Sequence, residues 1–300
     1  MLFAAIDIGS NAARLLFANA YDKNGAPHMD KASIIRIPTR LGEDVYNNNK
    51  IGKERAKDFI KTMKAFKLLI DVYKPYSYKV CATAALREAE NSKDIIKQVK
   101  KETGLKIKVI NGKFEADIIR SNKAVTFPTS KPFVLHMDVG GGSTELSIEK
   151  NGKLLKSNSF KLGTLRLLNG KIKEQVWADM TNWLNEFKDS FPDFHILGTG
   201  GNINKLCKIF GNNETKQLNI GNLEFAHKRI KSLSLDERIK AYGFRLDRAD
   251  VIEPAAAIYL FIMNHIKAKY IMVPRTGLAN GLILQQYKEY IDYKKTIIEK

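Results

Sequence analysis

Only two cysteines occur in the 300-residue chain, Cys81 and Cys207, both in apolar stretches and neither in a C-x-x-C pair. That excludes a disulfide framework and a cysteine-built metal site, and it fits a reducing compartment. Long apolar runs are missing too: none approaches the roughly 18 residues of a membrane span. The opening segment MLFAAIDIGSNAARLLFANA has no leading basic residue and is interrupted by Asp7, so it does not read as a secretory signal. A cytoplasmic protein with no membrane partner is expected. The five histidines, His28, His136, His195, His227 and His265, lack metal-ligand spacing and read as structural or surface residues. Acidic residues are in deficit, 32 Asp and Glu against 50 Lys and Arg, a net +18. Such an excess concentrates anions and speeds their arrival without naming the anion, and a solvated lysine surface would look the same. Aromatic-basic interleaving and nucleic-acid motifs are absent, which argues against a nucleic-acid partner.

What is present is a globular composition, 44% hydrophobic and 27% charged, in a length that suits two domains. The most informative pattern is an approximate internal duplication. Residues 2–8 are apolar and break into Gly9-Ser10-Asn11; a strand-like run at 13–20 leads to Asn24-Gly25 and another at 32–37. In the middle of the chain, 133–139 is apolar and breaks into Gly140-Gly141-Gly142-Ser143; a run at 145–149 leads to Asn151-Gly152 and a further run to Phe160. Asn-Gly between such runs predicts a two-residue hairpin in each half. Helices and strands then alternate. Helices are predicted at 53–73, 92–102 and 114–123, with strands at 76–82 and 105–110. In the second half, helices are predicted at 174–187, 202–210, 248–266 (kinked at Pro254) and 278–290, with strands at 194–197 and 270–273. Two copies of β-β-β-α-β-α-β-α predict two α/β domains facing across a cleft, 1–124 and 125–300, divided within 125–131.

An Asp-x-Gly loop after the first strand of each half has a chemical rationale. Glycines let backbone N–H groups approach phosphate oxygens, hydroxyl side chains add donors, and an aspartate at the strand end can hold a hydrated Mg²⁺. DIGSN alone is equally a tight turn. DVGGGST is harder to dismiss, because three consecutive glycines after a buried strand cost backbone entropy with no structural return.

These residues resemble the Ppx/GppA phosphatases, the exopolyphosphatases and guanosine pentaphosphate phosphohydrolases of the actin/Hsp70/sugar-kinase superfamily. The matching segments are AIDIGSNAARLL (5–16), RLGEDV (40–45), ATAALREAEN (82–91), VINGKFEAD (109–117), DVGGGSTELSI (138–148), KLGTLRL (161–167), ILGTGGNINKL (196–206), RADVIEPAAAI (248–258) and VPRTGLANGLI (273–283). The resemblance implies two ribonuclease H-like α/β domains with an interdomain cleft. It implies Mg²⁺ positioned by Asp7 and Asp138, with Glu145 supporting the metal or its waters. Phosphate-facing donors would be Ser10, Asn11, Gly140, Gly141, Gly142, Ser143 and Thr144, and Arg14 and Arg87 would pair with phosphate oxygens. Glu115, at the place of the family's catalytic glutamate, would orient and deprotonate the attacking water. The alternative readings are a surface salt bridge for Arg14 and for Arg87, the latter beside Glu88 and Glu90, and an exposed strand charge for Glu145; without the resemblance Glu115 reads as a solvated helix-start carboxylate.

The implied activity is release of the terminal phosphate of polyphosphate, by in-line attack of water with positioning and electrostatics as the main source of rate. Guanosine pentaphosphate is the alternative substrate, and an ATP-dependent kinase or ATPase of the same superfamily the rival activity. A sensor that binds without turnover is a further rival. A homodimer is expected by analogy with the family. The chain departs from the family pattern at Ala12, where a hydroxyl residue is usual, at Lys113-Phe114-Glu115, where the acidic run is reduced, and at GLANGL (277–282), which stands for GLREGL. Longer members carry an all-helical HD-type region; this chain contains no His-Asp pair of that kind and reads as a short form.

Overall fold

The computed structural model describes residues 1–120 and 131–298. The chain divides into two compact units, Met1–Thr126 with Thr276–Lys300, and Phe127–Arg275. Most of the boundary expected at 125–131, and residues 121–123 of the helix expected at 114–123, lie outside the described residues.

The first unit runs β1 (Leu2–Ile8), β2 (Ala13–Lys23), β3 (Ala26–Ile37), α1 (Leu41–Asn48), α2 (Lys53–Tyr73), β4 (Tyr78–Ala82), α3 (Ala84–Glu88), α4 (Ser92–Thr103), β5 (Lys108–Val109) and α5 (Gly112–Arg120). The sheet order is β3-β2-β1-β4-β5, with β1 to β3 an antiparallel meander and β4 and β5 parallel to β1. The second unit runs β6 (Phe133–Val139), β7 (Thr144–Lys150), β8 (Lys153–Phe160), α6 (Thr164–Leu168), α7 (Glu174–Asn185), a 3₁₀ turn, β9 (Phe194–Thr199), α8 (Gly201–Phe210), β10 (Gln217–Asn219), α9 (Ile220–Lys231), α10 (Leu235–Tyr242), α11 (Leu246–Ala249), α12 (Ile252–His265) and β11 (Tyr270–Met272). Its sheet order is β10-β11-β9-β6-β7-β8. With the added edge strand β10 set aside, both sheets have one plan: a meander whose first strand is flanked by two later parallel strands. This is the duplicated α/β arrangement that the sequence pattern predicts, with the ribonuclease H-like plan that the resemblance implies.

Both predicted hairpins form. Asn24 and Gly25 have φ of 56° and 76°, and Asn151 and Gly152 have 50° and 76°. The flanking pairs Lys23↔Ala26 and Lys150↔Lys153 make each a two-residue loop. Positive φ at both central residues matches the right-handed twist of the strands, and Asn-Gly tolerates it.

The last helix departs from the expected division. α13 (Leu278–Ile298) belongs to the first unit, because its apolar residues complete that unit's core. Leu278, Leu282, Ile283 and Tyr287 pack with Phe3, Ala5, Leu16 and Ala18 on one sheet face, together with Ile118 and Ile119 of α5. Leu282 and Ile283 are at most 1% exposed, and burial of such a side chain stabilises by about 1.5–3 kcal/mol. Gln286 locks the helix by donating to the Ala4 carbonyl at 2.9 Å. A Cβ at Gly281 would fall 2.4 Å from the Ile118 carbonyl oxygen, so the glycine in GLANGL is what lets α13 and α5 approach. The other sheet face carries α2, where Tyr73 stacks on Phe17 at 4.1 Å.

The helix expected at 248–266 with a kink at Pro254 is instead two helices, α11 and α12, with the break at Asp250-Val251. Pro254 then falls in the first turn of α12, where its missing N–H has no helical partner to lose. The segment from β10 to α10 was not anticipated. Its one local signal is Ser234 with Glu237 three residues on, which form a reciprocal capping box at the start of α10. Among the described residues, no helix is long and apolar enough to cross a membrane. Cys81 and Cys207 are free and buried.

Candidate active site

Each glycine loop is built by the same local rules. In the first unit β1 ends at Ile8, and the Gly9 N–H closes the loop on the Ala12 carbonyl at 3.0 Å. In the second, β6 ends at Val139 and the Gly140 N–H closes on the Ser143 carbonyl at 2.9 Å. A Cβ on Gly9 or Gly140 would fall 3.3 or 3.2 Å from those same carbonyl oxygens, so both turns favour the glycine. The loop carbonyls are then held by the helix that follows the meander. The Gly42 and Arg40 N–H groups, at the start of α1, donate to Ser10 (2.8 Å) and Asn11 (3.0 Å). At the start of α6, Thr164 and Leu165 donate to Gly140 (3.0 Å) and Gly141 (2.9 Å). The Arg166 side chain adds a bond from Nε to the Gly142 carbonyl at 2.7 Å. With their carbonyls engaged, these loops keep amides for a ligand. Among the described residues, the N–H groups of Ser10, Gly141 and Gly142 donate to no other backbone group. Helix-anchored amides of this kind form anion-binding nests.

The hydroxyls expected as phosphate donors have partners within the protein. Thr144 is fully buried and gives its hydroxyl proton to the Leu162 carbonyl at 2.5 Å. Ser143 donates to Glu145 Oε1 at 2.6 Å, and Ser10 shares a 2.7 Å hydrogen bond with the Tyr46 hydroxyl. A hydroxyl has one proton, so in this structure the Ser143 and Thr144 hydroxyl protons are held within the loop frame. Ala12, where a hydroxyl is usual, is itself buried.

The acidic residues sit one strand register apart from their neighbours in a repeated layout. Asp7 pairs across β1–β2 with Arg14, and Asp138 pairs across β6–β7 with Glu145. On the other side, Asp7 faces Cys81 of β4 and Asp138 faces Thr199 of β9. The Arg14 guanidinium lies 3.0 Å from the Asp7 carboxylate. Burial pushes the Asp7 carboxyl above its usual range, and the charge and hydrogen bond of Arg14 draw it back. Burial, then the neighbouring Asp7 charge, push the Cys81 thiol up to about 11; Lys108 and Lys79 oppose that rise and Glu115 adds to it.

In the second unit Thr199 Oγ1 donates to Asp138 at 2.6 Å. Glu145 is buried and accepts from Ser143 (2.6 Å) and from Ser159 (2.8 Å), so it is not an exposed strand charge. The Tyr259 hydroxyl, on α12, donates to the Thr199 carbonyl at 2.5 Å. Burial, with the Asp138 charge next, holds that phenol well above its ordinary range, so it stays a donor.

Glu115 is buried in the first turns of α5, whose start is capped by Asn111: its Oδ1 accepts from the Phe114 N–H at 2.8 Å. Arg87, on α3, donates from Nη1 to the Ile110 carbonyl at 2.9 Å and so ties the approach to α5. Neither Glu88 nor Glu90 takes that bond.

Four contributors were not anticipated. Gly163 packs against the second loop: a Cβ there would fall 2.5 Å from backbone atoms of Gly141 and Gly142. Its signal was a glycine ahead of the short helix in KLGTLRL. Thr199 and Ser159 lie at strand ends, where hydroxyls beside an acidic loop were visible. Tyr259 gave no signal, since an aromatic at helical spacing reads as core.

Two units of one strand order, each with an acid followed by a glycine loop, define a duplicated α/β protein of the ribonuclease H-like class. The profile of the Ppx/GppA phosphatase family matches residues 23–290, and the chain belongs to that family, a class of hydrolases. It is 25% identical to exopolyphosphatase 1 of Mycobacterium leprae over 97% of this chain and 91% of that one. It is 26% identical to the bifunctional 3-dehydroquinate synthase/phosphatase of Fusobacterium nucleatum, over 95% of this chain but only 46% of the relative's length. Among solved structures, the Ppx/GppA family member of Aquifex aeolicus is 26% identical with a TM-score of 0.74, covering 97% of this chain and 98% of that one. An exopolyphosphatase of Cytophaga hutchinsonii shares the fold with a TM-score of 0.79 at 23% identity, covering 95% and 98% of the two chains.

Proposed function

We propose that the protein is an Mg²⁺-dependent exopolyphosphatase that removes the terminal phosphate of inorganic polyphosphate. The observation that carries this reading is the repeated loop frame. Twice in the chain, helix N–H groups take the loop carbonyls, and a carboxylate stands at the preceding strand end. The names of the mycobacterial and Cytophaga relatives support the same substrate class, and a net +18 chain favours a polyanion.

The residues fit a hard cation. Asp138 and Glu145 face each other across β6–β7 and offer carboxylate oxygens, and hydroxyls of Thr199, Ser143 and Ser159 orient them. Oxygen donors braced in this way suit Mg²⁺. When bound, the metal would offset charge on the phosphate oxygens. Asp7 and Arg14 form a preformed pair; we assign the guanidinium to a phosphate oxygen and the carboxylate to the cation's water shell. The amides of Ser10, Gly141 and Gly142 are the donors assigned to phosphate oxygens. Arg87 neutralises a further phosphate oxygen while its bond to Ile110 steadies α5. Glu115 accepts the proton of the attacking water.

The test is phosphate release from polyphosphates of defined length, guanosine pentaphosphate and ATP, with and without Mg²⁺. Polyphosphate should be hydrolysed only with the metal. Glu115→Gln should lower kcat by about 10²–10⁴-fold with KM little changed, the range for a lost general base. Preference for guanosine pentaphosphate would move the substrate assignment. Full turnover by Glu115→Gln, or use of ATP alone, would remove the reading.

A further inference from the structure

A cavity of about 380 Å³ opens in the first unit between the β4–β5 edge and helices α5 and α13; none of residues 7–12 lines it, although Cys81 in its wall is the strand neighbour of Asp7. That volume lies at the low end of the range for small-molecule sites, about 300–1,000 Å³. Its lining has two chemical characters. Val80, Cys81 and Leu282, all nearly inaccessible, supply apolar surface, and Phe114 of α5 supplies an aromatic face. Lys79, Lys106 and Lys108 supply three cationic side chains, and no carboxylate lines the cavity. Lys79 is paired with Glu289 at 2.6 Å, so it is partly neutralised. Lys108 lies over the Phe114 ring, 4.7 Å from its centroid. The fields of Lys79 and Lys108 both reach Cys81.

We propose that this cavity binds an organic anion of nucleotide size: a flat ring against Phe114 and the apolar surface, and a phosphate among the lysines. Like charges do not gather around a concave, partly apolar space without cost, and an anion with an aromatic part complements both characters. Phe114 is the residue before Glu115 on α5, so an occupant of the cavity loads the helix that carries the proposed base. The pocket is thereby an effector site, and this second half rests on the hydrolase reading given above.

The probe is N-methylanthraniloyl-AMP, followed by fluorescence on the full chain. Saturable binding is expected. Lys106→Glu/Lys108→Glu should weaken it at least about tenfold, because two attractive charges become repulsive. Both lysines are exposed, and the melting temperature checks the fold; Lys106→Ala/Lys108→Ala, expected to weaken binding by a smaller factor, guards against a folding effect of charge reversal. Asp138→Asn, at the end of β6 in the second unit, should leave probe affinity unchanged. Binding that survives the double reversal, that is lost with Asp138→Asn, or that does not saturate by millimolar probe overturns the site. The coupling is read separately: the probe should change the phosphate-release rate of the wild type and not of the double variant, and an equal effect on both refutes transmission through α5. A chain that binds the probe as stated but releases no phosphate from any substrate sinks the hydrolase reading and the coupling with it, and leaves the site standing.

Discussion

Gly163→Ala adds one methyl group at the point where α6 meets the second glycine loop. The new Cβ would sit 2.5 Å from Gly141 C and O and from Gly142 C. Carbon atoms need about 3.5 Å, so the loop or the start of α6 must move by about 1 Å. These are backbone atoms, and no rotamer relieves the contact. Overpacking of this kind costs about 1–3 kcal/mol of stability. The kinetic cost is larger, because a misplacement of about 1 Å in a positioning element lowers turnover by about 10²-fold. The Thr164 and Leu165 N–H bonds that hold Gly140 and Gly141 would lengthen with the same shift. The assay is kcat for phosphate release together with the thermal midpoint. Gly221→Ala is the control: its Cβ meets only Asn219 Oδ1, at an ordinary 3.6 Å, and alanine in place of glycine in a helix should stabilise by up to about 1 kcal/mol. A Gly163→Ala enzyme with wild-type kcat would refute the idea that the α6 contact sets the loop. A loss of activity that merely tracks unfolding would refute it as well.

Three further outcomes follow from the site. Asp7→Asn should raise stability at neutral pH: burial holds the folded pKa of Asp7 above its unfolded value, so this group's contribution to stability is fully present below the usual carboxylate range and is lost as pH rises through the folded pKa. The stabilising difference, read by thermal melts from pH 4 to 8, should shrink toward acid pH, while kcat falls; a difference that grows toward acid pH contradicts the assignment. Tyr259→Phe removes the donor to the Thr199 carbonyl and should cost about 1–3 kcal/mol, with a several-fold rise in the Mg²⁺ concentration for half-maximal rate; an unchanged Mg²⁺ requirement would separate this tyrosine from Asp138. Ser159→Ala deletes one of the hydroxyl donors to Glu145 and should likewise weaken Mg²⁺ activation by a few-fold with KM for polyphosphate unchanged, as measured by metal titration.

The parts of the fold legible in the sequence are those whose cause is local. Asn24-Gly25 and Asn151-Gly152 announce their hairpins because Asn-Gly is among the few dipeptides that accept two positive φ angles readily. The 53–73 helix shows its period because one face is buried and the other is not. What was missed has causes far away in the chain. α13 looks like a helix of the second half, yet Leu282 and Ile283 find their partners on β1 and β2 of the first. Pro254 looks like a kink until the break at Asp250-Val251 turns it into a first-turn residue. The internal partners of the Ser143 and Thr144 hydroxyls, Glu145 and the Leu162 carbonyl, follow from the fold and leave no local sign.

The duplication also shows how one loop plan can take two tasks. Asp7 and Asp138 occupy the same register position, but the residue opposite is a cation in one unit, Arg14, and an acid in the other, Glu145. The flanking parallel strand places Cys81 beside the first aspartate and the hydroxyl of Thr199 beside the second. The first loop is therefore close to neutral, and its buried carboxylate is partly satisfied by the guanidinium. The second concentrates two carboxylates with hydroxyls to orient them. A pair of like charges at adjacent strand positions is destabilising unless a cation offsets it. The physical expectation is that the second unit supplies the paired carboxylates for a cation and the first a guanidinium for an anion, a difference that needs few side-chain changes on a repeated backbone.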